Sequence, residues 1–140
     1  MKQALARTDY GRPLDAPRLP PRILIIEDQE REALVLEAIL LLSGCYVSRC
    51  AGVDEGLWAF WKGNYEAIFM EVCTSEGDGI AGVRRFRSFT SVPIISMTAG
   101  DPGRPGRDVL EQALAAGATA AMSKPLNRAK VLDVVHDFVV

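Results

Sequence analysis

Five side chains able to hold a cation or a phosphoryl group stand at the ends of strand-like runs. Glu27 and Asp28 follow Ile23–Ile26, Glu71 follows Ala67–Met70, Thr98 follows Val92–Met97, and Lys124 follows Ala118–Ser123. Three carboxylates gathered in one crevice repel each other, and their pKa values rise unless a cation joins them. A hard divalent cation relieves this, and Mg²⁺ suits one or two carboxylates with waters and a phosphate. Lys124 adds a point charge suited to a phosphoryl oxygen, and Thr98 adds a hydroxyl donor. Two readings stay open on spacing alone: a Mg²⁺ and phosphate site, or a lysine–carboxylate ion pair that closes a sheet edge.

These residues are far apart in sequence, so the elements between them must bring them together. Ile23-Leu24-Ile25-Ile26 and Ala67-Ile68-Phe69-Met70 are continuous apolar runs, as in strands buried on both faces of a parallel sheet. A helix is expected from Glu30 to Ser43, with Leu34, Ala38, Leu41 and Leu42 as its buried stripe and Gly44 as its left-handed stop. Cys45 to Cys50 reads as a second strand. Asp54 is expected to cap a helix to Lys62, with Leu57, Trp58 and Trp61 on one face and Gly63 as its stop; Trp58 and Trp61 are expected to pack on the sheet, or Trp61 to stand partly exposed as an interface anchor. A basic helix from Ile80 to Phe89 carries Arg84, Arg85 and Arg87 as a solvated face. Asp101–Arg107, with two prolines and two glycines, is expected to hold no regular structure. A helix from Asp108 to Ala116 follows, stopped by Gly117. Asn127 is the expected cap of a last helix, Arg128 to Phe138. Five βα units imply a parallel sheet with helices on both faces, and in such folds the ligand site lies at the carboxyl ends of the strands.

The 140 residues suit one domain. Apolar runs such as Ala38–Leu42 fall far short of the ~20 residues of a membrane helix, so no membrane partner is expected. Three cysteines do not make a disulfide scaffold, and a cytoplasmic protein with reduced thiols is the expectation. Residues 1–21 read as a flexible, basic, proline-containing arm and residues 22–140 as the domain. The net charge of −2 divides between a basic arm and an acidic remainder.

From about residue 22 to 139 the chain resembles the receiver domains of bacterial response regulators, the CheY-like family of two-component signalling. The resemblance rests on five dipeptides in order: Glu27-Asp28, Asp78-Gly79, Thr98-Ala99, Gly117-Ala118 and Lys124-Pro125. It implies a doubly wound, flavodoxin-like (βα)₅ fold with strand order 2-1-3-4-5. It also implies transfer of a phosphoryl group from a histidine kinase to an acidic side chain, with Mg²⁺ as cofactor. Glu27, Asp28 and the backbone carbonyl of Cys73 would then hold the metal, and Thr98 and Lys124 would contact the phosphoryl group.

Four positions depart from the family pattern. The phosphoacceptor aspartate is Glu71 here. Glutamate reaches on the order of 1.5 Å further, and in-line attack tolerates little misplacement. Its carboxylate is instead expected to approach Lys124 and Thr98 and imitate part of an activated state. The switch aromatic is Ala121, the usual proline after the acceptor is Ser75, and Asp101–Arg107 lengthens the path into the fourth helix. The resulting expectation is a stand-alone, phosphorylation-independent signalling protein and not an enzyme. It would act through contacts with a histidine kinase or another signalling protein, with no nucleic acid, and would pair as a homodimer through its first or last helix. The alternative is an active, atypical phosphoacceptor with Mg²⁺. A flavodoxin-like cofactor binder is the third reading, but it needs a phosphate loop where this chain has Glu27-Asp28-Gln29-Glu30-Arg31. Cys45, Cys50 and Cys73 are read as inert, and His136 as a surface or half-buried residue without ligand partners.

Overall fold

The computed structural model describes residues 19–74 and 77–139. Most of the arm, with Ser75 and Val140, lies outside the described residues. The principal elements are β1 (Arg22–Ile26), α1 (Glu30–Leu42), β2 (Tyr46–Cys50), α2 (Val53–Lys62), β3 (Ala67–Glu71), α3 (Gly79–Arg87), β4 (Ile94–Thr98), α4 (Gly106–Ala116), β5 (Ala120–Ser123) and α5 (Arg128–Phe138). The five strands form one parallel sheet in the order 2-1-3-4-5, as expected. Among the described residues, no helix is long and apolar enough to cross a membrane.

The strands alternate their side chains between two apolar layers. Leu24, Ile26, Ile68, Met70 and Ile94 join Val83, Phe86 and Val109 on one face. Ile23, Ile25, Phe69, Ile95 and Met97 join Leu36, Leu40, Val131 and Val135 on the other. β3 and β4 are buried along their whole length, which is why their sequences are apolar without alternation.

Several helix details held. Asn127 caps α5, its Oδ1 accepting from the Lys130 amide at 2.9 Å. Gly44 and Gly117 end their helices with φ of +89° and +123°. Cys45 and Cys50 are buried free thiols, and His136 is exposed.

Others need correction. The buried stripe of α1 is Ala33, Leu36 and Leu40, whereas Leu34, Ala38, Leu41 and Leu42 are exposed. This helix is apolar nearly all round, so helical period alone could not select its inner face. Asp54 does not cap α2, which starts one residue earlier behind Gly52; its carboxylate instead accepts from Arg85 Nη1 at 2.8 Å. Trp58 and Trp61 do not pack on the sheet. They are exposed and stack on each other, ring centroids 5.7 Å apart. Gly56, on the opposite side of α2, takes the contact with the sheet, because a Cβ there would lie 2.5 Å from Ile26 Cδ1.

Arg87 is no part of a solvated face either. Its guanidinium donates to the carbonyls of Gly117, Thr90 and Val92 and to Thr119 Oγ1. Asp101–Arg107 is also more ordered than its composition suggested. Gly100–Asp101 and Arg104–Pro105 form a two-residue antiparallel ladder, and α4 begins at Gly106. Asp101 Oδ1 accepts from the Gly103 amide at 3.0 Å, an Asx turn that closes the hairpin. A second small ladder pairs Cys73–Thr74 with Gly77–Asp78.

Candidate functional site

β1 and β3 are parallel neighbours, and Ile26 is level with Met70. The next residue on each strand is a glutamate, so Glu27 and Glu71 emerge side by side. On the far side of β4, Thr98 is level with Ser123. Lys124 follows, and its amide donates to the Thr98 carbonyl at 3.1 Å. Its long side chain then crosses the end of β4 toward the two glutamates.

The ammonium is the centre of the site. Lys124 Nζ donates to Glu27 Oε1 at 2.5 Å, is 2.6 Å from Glu71 Oε1, and also pairs with Glu32 Oε1. The Glu27 and Glu71 side chains are only 2% and 6% exposed, against 47% for Glu32. The second oxygens of the buried pair are also satisfied. Glu27 Oε2 accepts from the Gln29 amide at 3.1 Å and Glu71 Oε2 from the Cys73 amide at 2.8 Å. Charge-assisted contacts to amides of this kind fix carboxylates in place.

Burial acts in opposite directions on the two charges. It pushes the Glu27 carboxyl above its ordinary value, despite the pull of Lys124 and the Gln29 amide. It works against the Lys124 ammonium too, but the hydrogen bonds to Glu27, Glu32 and Glu71 outweigh it and raise the lysine pKa. Lys124 is therefore held charged.

The loops at this edge are pinned from below. A Cβ on Gly79 would lie 2.4 Å from Val72 Cα, so only glycine lets α3 start against the end of β3. This gives a packing reason for the glycine of Asp78-Gly79; the Asp78 side chain lies outside the description. Thr98, almost fully buried, accepts from the Gly100 amide at 3.0 Å and ties β4 to the 100–105 hairpin. Arg104 of that hairpin reaches back, its Nη2 lying 3.6 Å from Cys73 Sγ. Ala121 is half-buried and level with Ser96, whose buried hydroxyl has no hydrogen-bond partner among the described residues.

A further glutamate, Glu32, joins two of the expected carboxylates. Glu27, Glu32 and Glu71 each offer an oxygen within 4.8 Å of the others. Asp28 shares a polar cleft of about 420 Å³ with Glu27, Glu30, Glu37, Arg49 and Glu55. Glu32 escaped the sequence reading because it lies inside a helix and not at a strand end. The available signal was an acid in the first turn of the helix that leaves the Glu27-Asp28 pair. The oxygen donors are hard and anionic and fit Mg²⁺ in kind, although Lys124 shares the same oxygens. Beside the ammonium a cavity of about 400 Å³ opens between α1 and the start of α5, walled by Val35, Leu36, Met97, Pro125 and Leu126.

Known proteins resemble this chain in sequence and fold. The chain is 36% identical over 80 residues to the uncharacterized transcriptional regulatory protein YkoG of Bacillus subtilis, covering 56% of this chain and 35% of that one. It spans between 10% and 36% of the length of the curated relatives it matches. Its structure resembles a two-component response regulator from Clostridium difficile (TM-score 0.76, 26% identity, 84% of this chain and 93% of that one). It also resembles the receiver domain of the sensor histidine kinase PA1611 from Pseudomonas aeruginosa, solved with a magnesium ion in its active site cleft (TM-score 0.75, 28% identity, 86% and 98%). The response regulator receiver domain family matches residues 23–136, nearly all of the folded region. With this match and its sheet order, the chain belongs to the response regulator receiver domain family, the receivers of two-component signalling.

Proposed function

We propose that this receiver holds one signalling state through Glu71 and transmits it by protein contacts, independently of phosphorylation. The observation that carries the reading is the 2.6 Å contact between Glu71 Oε1 and Lys124 Nζ. Glu71 stands where the family has its acceptor aspartate, and its longer side chain delivers a fixed negative charge to the lysine that would otherwise meet a phosphoryl oxygen. One carboxylate carries less charge than a phosphoryl group, so the state it holds is a partial imitation. Thr98 and Ala121 are the positions through which such a state is read. Thr98 is already bonded to the Gly100 amide, and Ala121 has no ring to swing.

Output then depends on surfaces. Leu34, Val35, Leu41 and Leu42 lie exposed on α1 and support that helix as a contact face for a histidine kinase, another signalling protein or a second copy.

The competing reading keeps Glu71 as an atypical phosphoacceptor. It is favoured by the magnesium in the related PA1611 receiver. Here Glu27, Asp28, Glu71 and the Cys73 carbonyl would hold Mg²⁺, which would neutralise charge on a phosphoryl oxygen. Incubation with Mg²⁺ and a small-molecule phosphodonor, followed by intact-mass measurement, separates the two. The fixed-state reading expects no phosphoryl adduct on the wild type and an adduct on Glu71→Asp. An adduct on the wild type would sink it.

A further inference from the structure

We infer that Glu32 is a positioning residue: from α1 it holds the Lys124 ammonium among the strand-end carboxylates and biases that site against a divalent cation. This deepens the reading of Glu71 as a fixed partner of Lys124, and it rests on that reading.

The argument starts from the oxygens. Glu27 Oε1 and Glu71 Oε1 both face Lys124 Nζ, while their Oε2 atoms take the Gln29 and Cys73 amides. A cation entering between Glu27 and Glu71 must therefore compete with the ammonium for the Oε1 atoms. Glu32 supplies the third contact to that ammonium from outside the strand ends. It differs from the other two in exposure, being half open to solvent, and among the described residues no hydrogen bond ties it to the loops at the strand ends. Its contribution is thus mainly to the position of Lys124. Three acceptors match the three donors of an ammonium, so Lys124 is saturated only while Glu32 is in place.

This makes a prediction opposite to the obvious one. Glu27, Glu32 and Glu71 converge closely enough to be read as a three-carboxylate metal cluster. If Glu32 were a metal ligand, neutralising it would weaken Mg²⁺ binding, and so would the plain loss of negative charge. If Glu32 steadies the competing ammonium, neutralising it loosens Lys124 and strengthens Mg²⁺ binding.

The test titrates MgCl₂ into the ¹⁵N-labelled full chain, wild type and Glu32→Gln, following the Gln29 and Cys73 amide resonances. These amides donate to the two buried glutamates and report directly on them. Glu32→Gln keeps the side chain's size at a half-exposed site, and the spectrum itself shows that the fold is intact. The expected result is a magnesium midpoint about threefold to fivefold lower in Glu32→Gln, the scale of one partly exposed ion pair. An equal or higher midpoint, or no saturable shift in either protein, overturns the inference. The phosphodonor experiment fails separately. An adduct on the wild type removes the fixed-state reading whatever the midpoints do, and an unchanged midpoint removes the role of Glu32 without producing an adduct.

Discussion

Two cations fasten opposite ends of the sheet, and they do so with opposite chemistry. At the amino end, Arg87 donates to three neutral carbonyls and one hydroxyl, over 2.8–3.1 Å. At the carboxyl end, Lys124 lies among three carboxylates. Neutral carbonyls attract a free cation weakly, so nothing in solution competes with Arg87. Its planar fork matches acceptors fixed by the backbone, and it works as a staple. Burial lowers its pKa, with no anion to offset the effect. Carboxylates attract any cation, so the Lys124 end can exchange partners. Structure alone needs a clamp of the first kind; a signalling site needs the second.

The difference can be tested from both ends. Lys124→Met should be the most damaging change, because it leaves Glu27 and Glu71 buried without a counter-charge. The expected loss is about 3–5 kcal/mol in urea unfolding. A loss under about 1 kcal/mol would mean that the carboxylates rearrange freely and that no clamp exists at that end. Arg87→Ala should cost about 2–3 kcal/mol by the same measurement, through unpaired acceptors alone. Its magnesium response should match the wild type, since the staple is remote from the exchanging site.

Cys50 probes the electrostatics near the carboxyl end. Burial, with help from the Glu55 charge, pushes its thiol from 9.0 up to about 11. The folded state therefore favours the protonated thiol. This stabilisation is complete below pH 9, where the unfolded chain is also protonated, and is lost progressively as pH rises toward 11. Unfolding free energy should fall across that window, and Cys50→Ala should flatten the decline. An identical slope in both proteins would show that Cys50 is not the titrating group. The smallest stability effect belongs to Glu32→Gln. Its half-exposed ion pair should be worth less than about 1 kcal/mol in thermal unfolding. A larger loss would make Glu32 part of the clamp's foundation and not its adjustable arm.

Much of this was legible in the residues. Apolar runs ending in Glu27, Glu71, Thr98 and Lys124 revealed the parallel strands and the edge that gathers these side chains. Asn127, Gly44 and Gly117 marked helix ends because caps and left-handed residues act locally. What escaped depended on long-range contact. α1 is too uniformly apolar to declare its inner face, so Leu34, Leu41 and Leu42 were assigned inward and lie outward. Trp58 and Trp61 share a helix face, but nothing local says whether that face meets the sheet. Arg87 resembled its solvated neighbours until its four acceptors came in from beyond the end of its helix.

By itself, then, the sequence determined the five βα units and the anionic character of one sheet edge. These follow from chain-local rules of period, capping and residue type. Only the tertiary structure decided that Glu32 converges with Glu27 and Glu71, and that one ammonium sits among all three carboxylates. Such a meeting depends on where β1, β3, α1 and β5 come together in space, which no local pattern encodes.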